Sequence, residues 1–408
     1  MNKSIFTRLL CGFLTVLMFV GCMSTAIFAA EVPSAEETTE ENAEETKTSL
    51  EEIREILDTL SYNDYIASLK DAKKATEAFE INFAQAYVDS KKLDESQEDG
   101  KIVIRTEEET HTEFGKAVES IYLPEKGTAN FKIDVPADGL YALAFDYYSY
   151  LAKATSIERM LYIDGKIPFS EARYLEMPKT WIDVLENEGK FKTDLMDNDI
   201  RPPKQQEPAW NTYVFHDSTG FVVNPLQIYL TKGEHIISLE AVREPVVLGN
   251  AKFYPYEELP SYEDKLAEYK ANGYKDVSKN ANLRVEAEFV DYVSDQTIYP
   301  LNDRSSPMTY PQDPSKTRLN TLGSDKWKTA GQWIKYTVKP EESGLYEISM
   351  RFKQSELEGM YVSRRIYING EIPFEEASYL EFMYNDSWQQ GVLSAKDGTP
   401  YKFYFEKG

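Results

Sequence analysis

Cysteine is almost missing: Cys11 and Cys22 are the only two, and both fall within residues 1–30. Removal of that segment leaves a chain without thiols or disulfides, so stability must come from the size of its core. Histidine is nearly as scarce, and none of His111, His216 and His235 stands in a metal-ligand spacing such as H-x-x-x-H. No nucleophile elbow, phosphate-binding loop or dinucleotide fingerprint is present. Carboxylates are the reverse case. Among 69 acidic residues no pair marks itself as the acid and base of a glycosidase. These absences predict a chain with no catalytic site. Basic charge is also in deficit: a net charge of −24 argues against nucleic acid and anionic lipid as partners, since both require a basic surface.

The first thirty residues carry Lys3 and Arg8, an apolar run from Leu9 to Val20, and then small residues. This is the pattern of a secretory signal, too short for a membrane span, with cleavage expected after Ala29 or Ala30. Cys22 follows Val20-Gly21 and offers lipid attachment as an alternative, although Phe19 suits that motif poorly. A secreted or cell-surface location follows, with membrane contact only through such an anchor or a membrane partner. Export without disulfides suits a cell of the Gram-positive type. Residues 31–49 are acidic, lack an apolar pattern and predict a disordered spacer. From 50 to 95 the pattern becomes a helical leader. Leu50, Ile53, Leu57 and Leu60 recur at helical spacing, and a second short helix follows Ser61.

An internal duplication dominates the rest. Gly139-Leu140-Tyr141 returns as Gly344-Leu345-Tyr346, and 15 of the 38 pairs between 139–176 and 344–381 are identical. The period is far too long for a solenoid or propeller blade, so two related domains in tandem are expected. The leader is duplicated too, because Ser61-Tyr-Asn-Asp64 matches Ser261-Tyr-Glu-Asp264 as two capping boxes. Alternating or apolar runs at 102–107, 129–135, 141–148, 159–164, 226–230 and 235–242 predict strands in the first copy. Runs at 283–289, 332–338 and 346–352 predict them in the second. Asp164-Gly165 and Asn369-Gly370 predict matching hairpin turns. The expected fold is mainly β: two jelly-roll β-sandwich modules, at 96–256 and 281–408, each behind a helical leader, the second leader being the linker 257–280. About thirty residues after Glu176, with Trp181 and 201–211, belong to the first copy alone. LQIYLTKG (226–233) pairs with YKFYFEKG (401–408), after which only the first copy continues. The second copy is therefore expected to lack its last two strands, to belong to a larger protein, and to leave a sheet edge that promotes aggregation.

A sugar presents apolar C–H faces and a rim of hydroxyls, and is held by aromatic rings together with Arg, Asn and Asp. Trp181, Arg201, Trp210 and Asn211 in the insertion, and Asn320, Trp327 and Trp388 in loops of the second copy, are the candidate carbohydrate-binding residues. The alternative is that these rings cap the ends of a sandwich core. Arg159 and Arg364 are aligned, as are Glu171 and Glu376, and such arginines are expected to make internal ion pairs. Ile-Pro-Phe at 167–169 and 372–374 is expected to be packing.

VEAE (285–288), GQWIKYTV (331–338) and ESGLYEISMRF (342–352) resemble carbohydrate-binding modules with the galactose-binding-like jelly-roll fold. IERMLYIDGKIPFSEA, RPPKQQEPAWNTYVFHDSTGF, IYLTKGEHIISLEAVREPVVL and RSSPMTYPQDPSKTRLNTLGSDKW are similar to the N-terminal region of large Gram-positive extracellular solute-binding proteins of ABC transporters. The resemblance covers about residues 60–408. It implies sugar binding, with a transporter permease as partner through a downstream solute-binding domain. Jelly-roll modules of this kind often hold a structural calcium between acidic residues of the E-A-E strand and an Asp on the last strand. Glu286 and Glu288 match the first part in the second copy and Glu107 in the first, but Gly249-Asn250 stand where the Asp is required. The expectation is therefore no cofactor. Two other functions compete: a structural spacer with no ligand, and an accessory region of an extracellular glycoside-active enzyme.

Overall fold

Alternation of buried and exposed side chains along 128–135 gives a strand with one dry face, and the same logic recurs through the first copy. The computed structural model describes residues 59–91, 103–105, 119–186, 189–279, 283–356 and 358–408. The signal, the spacer, the first helix of the leader, Cys11, Cys22, Glu107 and His111 lie outside the described residues.

In chain order the first copy contains helix α1 (Tyr62–Ser68), β1 (Phe79–Asn82), α2 (Phe83–Ala86), β2 (Tyr87–Lys91), β3 (Val103–Arg105), β4 (Ser120–Leu123), β5 (Thr128–Val135) and β6 (Gly139–Tyr148). It continues with β7 (Ile157–Ile163), β8 (Leu175–Met177), β9 (Trp181–Asp183), β10 (Lys204–Gln206), β11 (Trp210–Val214), β12 (Gln227–Leu230), β13 (Gly233–Arg243) and β14 (Val246–Tyr254). One sheet runs β11-β6-β14-β4-β3, with β12 also on β6 and β1 also on β14; the other runs β2-β5-β13-β7-β8. The chain crosses from sheet to sheet at β5–β6, β6–β7, β12–β13 and β13–β14, the path of a jelly-roll sandwich. Phe131, Tyr141, Phe145, Ile157, Phe169 and Phe253 fill the space between the sheets.

The second copy begins with helix α3 (Tyr262–Ala271) and continues through β15 (Tyr292–Val293), β16 (Pro300–Leu301), β17 (Thr321–Leu322), β18 (Ile334–Lys335), β19 (Gly344–Tyr346) and β20 (Ser349–Gln354). It ends with β21 (Tyr361–Arg364), β22 (Leu380–Met383), β23 (Asn385–Val392) and β24 (Phe403–Phe405). The fold is thus mainly β in both copies. Residues 283–289, expected as a strand, instead turn, with the Phe289 N–H donating to Glu286 O. No described strand runs beside them to take up their backbone groups. The run at 332–338 is strand only at β18. β20 and β21, which match β6 and β7, each pair with one described strand, whereas β13 and β14 cover the matching edges in the first copy.

Local details recur between copies. Ser61 and Ser261 each accept the N–H of the Asp three residues on. Glu171 and Glu376 accept the N–H of Tyr62 and Tyr262, each at 2.8 Å, satisfying the first orphan donor of α1 and α3. Phe169 and Phe374 are fully buried, as packing requires. Asp164, Gly165, Asn369 and Gly370 all have positive φ, the geometry their hairpins need.

The duplicated Gly-Leu-Tyr has a steric cause. Backbone from the leader crosses each glycine, with Leu140 N–H donating to Lys73 O and Leu345 N–H to Lys275 O. A Cβ would lie 2.6 Å from Ala75 Cα at Gly139 and 2.8 Å from Lys275 O at Gly344. Gly139→Ala and Gly344→Ala are each expected to cost about 1–3 kcal/mol, read as a lowered urea midpoint. Unchanged midpoints would contradict the close approach.

Residues Thr59–Gly408 form one compact unit, and the insertion explains why. β9 and β10 pair with each other, and β9 meets β15, giving a four-stranded sheet β10-β9-β15-β18 drawn from both copies. Phe191 stacks on Phe289 at 4.6 Å. Asp199 takes Arg318 Nη1 at 2.8 Å and the Leu319 N–H at 2.9 Å, while Asp197 takes Arg318 Nη2 at 2.9 Å and Lys316. The loops peculiar to the first copy therefore clamp the second.

Candidate functional site

Arg243 and Glu244 close β13, and Glu244, at φ 64°, ties down the surrounding loops. Its carboxylate accepts Lys179 Nζ at 2.9 Å, the Thr155 hydroxyl at 2.7 Å and the Lys153 N–H at 3.0 Å. Burial pushes this carboxyl up, but those bonds outweigh it and hold it below the usual range, whereas burial pulls the Lys179 amine down. The loop 154–156 is thereby fixed beside Lys179 and Trp181. Across from it stand Ser294, whose hydroxyl accepts the Trp333 N–H at 2.8 Å, and Asp295, which accepts the Thr297 N–H and Gln332 Nε2. Gln296 reaches back to Ala154 O at 3.4 Å.

Between these walls lies a polar cleft of about 220 Å³, lined by Ala154, Thr155, Ser156, Lys179, Trp181, Arg243, Ser294 and Asp295. It offers one indole, three hydroxyls, a guanidinium and a carboxylate drawn from both copies. Such a lining is suited chiefly to hydrogen-bonding hydroxyls, with apolar contact limited to the 8% of Trp181 that stays exposed.

Of the seven candidates, only Trp181 lines this cleft, and it also packs with Val290, Val293 and Ile298. Trp327 joins the outside of the same apolar cluster, and Arg364 lies 4.5 Å over its ring. Arg201 sits over the Tyr299 ring at 4.1 Å, part of the clamp between copies. Trp210 is buried with Tyr122, Tyr148 and Val247. The Asn211 amide donates to Ala209 O, and buried Asn320 closes its own loop through Asp303 O and Pro311 O. Trp388 Nε1 donates to Asp303 Oδ2 at 3.0 Å. Thr155, Ser156, Lys179, Arg243, Ser294 and Asp295 were not legible as a site, because they come from four separate stretches of chain.

Arg159 is structural, though through carbonyls instead of an ion pair. Its guanidinium is fully buried and donates to the oxygens of Glu158, Arg243, Pro124 and Glu244, and burial draws it down to about 10.

No group of three potential metal-ligating side chains occurs among the described residues. Asn250, in the position where calcium would need an Asp, instead accepts Asn82 Nδ2 at 2.8 Å. Glu286 pairs with Arg284, and Glu288 is buried with Oε1 unpartnered. Among the described residues, Asn250, Glu286 and Glu288 are not gathered at one site. Burial, reinforced by Glu286 and Asp199 and opposed by Arg284, pushes the Glu288 carboxyl up to about 7. A raised carboxyl favours the protonated folded state, so this contribution is complete below the ordinary value and lost as pH rises through about 7. Glu288→Gln should flatten the fall in melting temperature between pH 5 and 8. Equal slopes in both proteins would contradict this.

The chain matches no known family and no curated protein. Among solved structures it is similar to the Podospora anserina GH26-CBM35 beta-(1,4)-mannanase at 9% identity and a TM-score of 0.26, over 49% of this chain and 35% of that one. It is also similar to a CBM35 from Cellvibrio japonicus at 13% and 0.24, over 44% and 93%. A family 35 carbohydrate binding module from Clostridium thermocellum aligns at 11% and 0.21, over 45% and 97%. The chain thus spans about a third of the length of the mannanase. At such low TM-scores these likenesses have no weight beside the geometry of the chain itself.

Proposed function

We propose that this chain is a non-catalytic, extracellular carbohydrate-binding region, the front of a solute-binding protein of an ABC transporter. The observation that carries the sugar reading is the cleft: the edge of an indole beside hydroxyls, a guanidinium and a carboxylate, in an open groove lined by residues of both copies. The transporter context rests on the resemblance of residues 60–408, and places a solute-binding domain downstream and a permease as its partner. The division into signal, spacer, leader and two sandwich modules belongs to the same proposal. On a glycan array the full chain is expected to bind a defined set of glycans. Asp295→Ala, at the open wall of the cleft, should weaken that binding at least tenfold, while Trp388→Ala should leave it unchanged. An array without signal, or binding indifferent to Asp295, would overturn the reading.

The clamp between copies favours a second reading, a rigid spacer with no ligand. It predicts the empty array.

A further inference from the structure

We infer that the cleft selects an uncharged sugar ring and rejects acidic sugars, an inference that rests on the carbohydrate reading above. Two cations line the cleft, and both are already committed. Lys179 and Glu244 are paired at 2.9 Å with both side chains shut from solvent. Arg243 Nε is paired with Glu158 Oε2 at 3.0 Å. Two further carboxylates stand at the same place, and among the described residues neither is ion-paired. Glu176 accepts the Ser156 hydroxyl at 2.7 Å, behind the cleft wall. Asp295 forms the opposite wall and takes only neutral donors, the Thr297 N–H and the Gln332 amide.

With the buried guanidinium of Arg159, which donates to the carbonyls of Glu158, Arg243 and Glu244 behind the same wall, three cations face four carboxylates, and the local charge is still negative by one. Burial and the neighbouring Glu176 raise the Glu158 carboxyl against the pull of Arg243, as crowded negative charge should. A neutral sugar suits this lining. Its hydroxyls donate to Asp295 and accept from the outer nitrogens of Arg243 and from the Ser294 hydroxyl, whose oxygen is taken by the Trp333 N–H. Its C–H groups touch the exposed edge of Trp181. A sugar carboxylate in the same space meets Asp295, and the guanidinium within its reach, Arg243, already shares its charge with Glu158 through Nε.

The test is calorimetric titration of the full chain near pH 7 with methyl glucoside, galactoside and mannoside, against methyl glucuronide and galacturonide. Each acidic sugar is expected to bind at least tenfold more weakly than its neutral counterpart. The gap should narrow in about 0.5 M salt, which screens the repulsion, and in Asp295→Asn. Equal or tighter binding of the acidic sugars overturns the charge selection and leaves the sugar site standing. Absence of binding heat with every neutral and acidic sugar overturns the carbohydrate reading, and this inference with it.

Discussion

Arg159→Met is expected to lower the stability of the first copy by about 3 kcal/mol or more, seen as a fall in the urea midpoint. Methionine preserves much of the apolar stem, so the loss isolates the guanidinium. That group serves four carbonyls, those of Glu158, Arg243, Pro124 and Glu244, which come from three separate stretches. Without it, buried acceptors lose a charged donor, and each one left unpaired costs about 1–3 kcal/mol. Arg159→Lys should not rescue the loss, because an ammonium cannot reproduce a planar fork spread over four oxygens. The duplication supplies an internal control. Among the described residues Arg364 serves the carbonyls of Ser363 and Trp327, and it is partly exposed. Arg364→Met should therefore cost clearly less. Equal losses at the two positions would contradict the role assigned to the carbonyl cage.

Lys179→Met should be comparably severe, about 3–5 kcal/mol, because it strands a buried carboxylate. Glu244 keeps the Thr155 hydroxyl and the Lys153 N–H but loses its one salt bridge among the described residues. The two partners are unequal. Burial lowers the lysine, whereas the hydrogen bonds around Glu244 keep it ionised despite its burial. A carboxyl held low contributes stability that is present above its ordinary value of 4.5 and lost as pH falls through the folded value. The double replacement Lys179→Met with Glu244→Gln removes the stranded charge and should recover part of the loss. Chemical denaturation of the three proteins at pH 7 checks this, and a double variant less stable than Lys179→Met would count against the pair as described.

Much of the frame was legible because it depends on short-range rules. Asp164-Gly165 and Asn369-Gly370 announce hairpins through positive φ, and Ser61 and Ser261 announce helix starts through their side-chain oxygens. The aligned arginines were legible as structural but not as carbonyl donors, since no local pattern reveals which backbone oxygens converge on a side chain. The insertion brings one of its candidates, Trp181, to the cleft and places the others elsewhere. Its tryptophans and Arg201 have the residue types of a sugar site, yet Trp210 fills a gap between tyrosines and Arg201 covers Tyr299. Residues 283–289 carry a strand pattern but have no described strand to pair with. The cleft was invisible for the strongest reason. Thr155, Lys179, Arg243 and Asp295 meet only after the first copy folds and the clamp seats the second against it.

A crystal of the full chain soaked in a neutral methyl hexoside tests the central claim most directly. The account predicts electron density for one sugar ring against Trp181, between Thr155–Ser156 and Ser294–Asp295. A ring bound elsewhere on the chain, with this cleft holding only water, would contradict it.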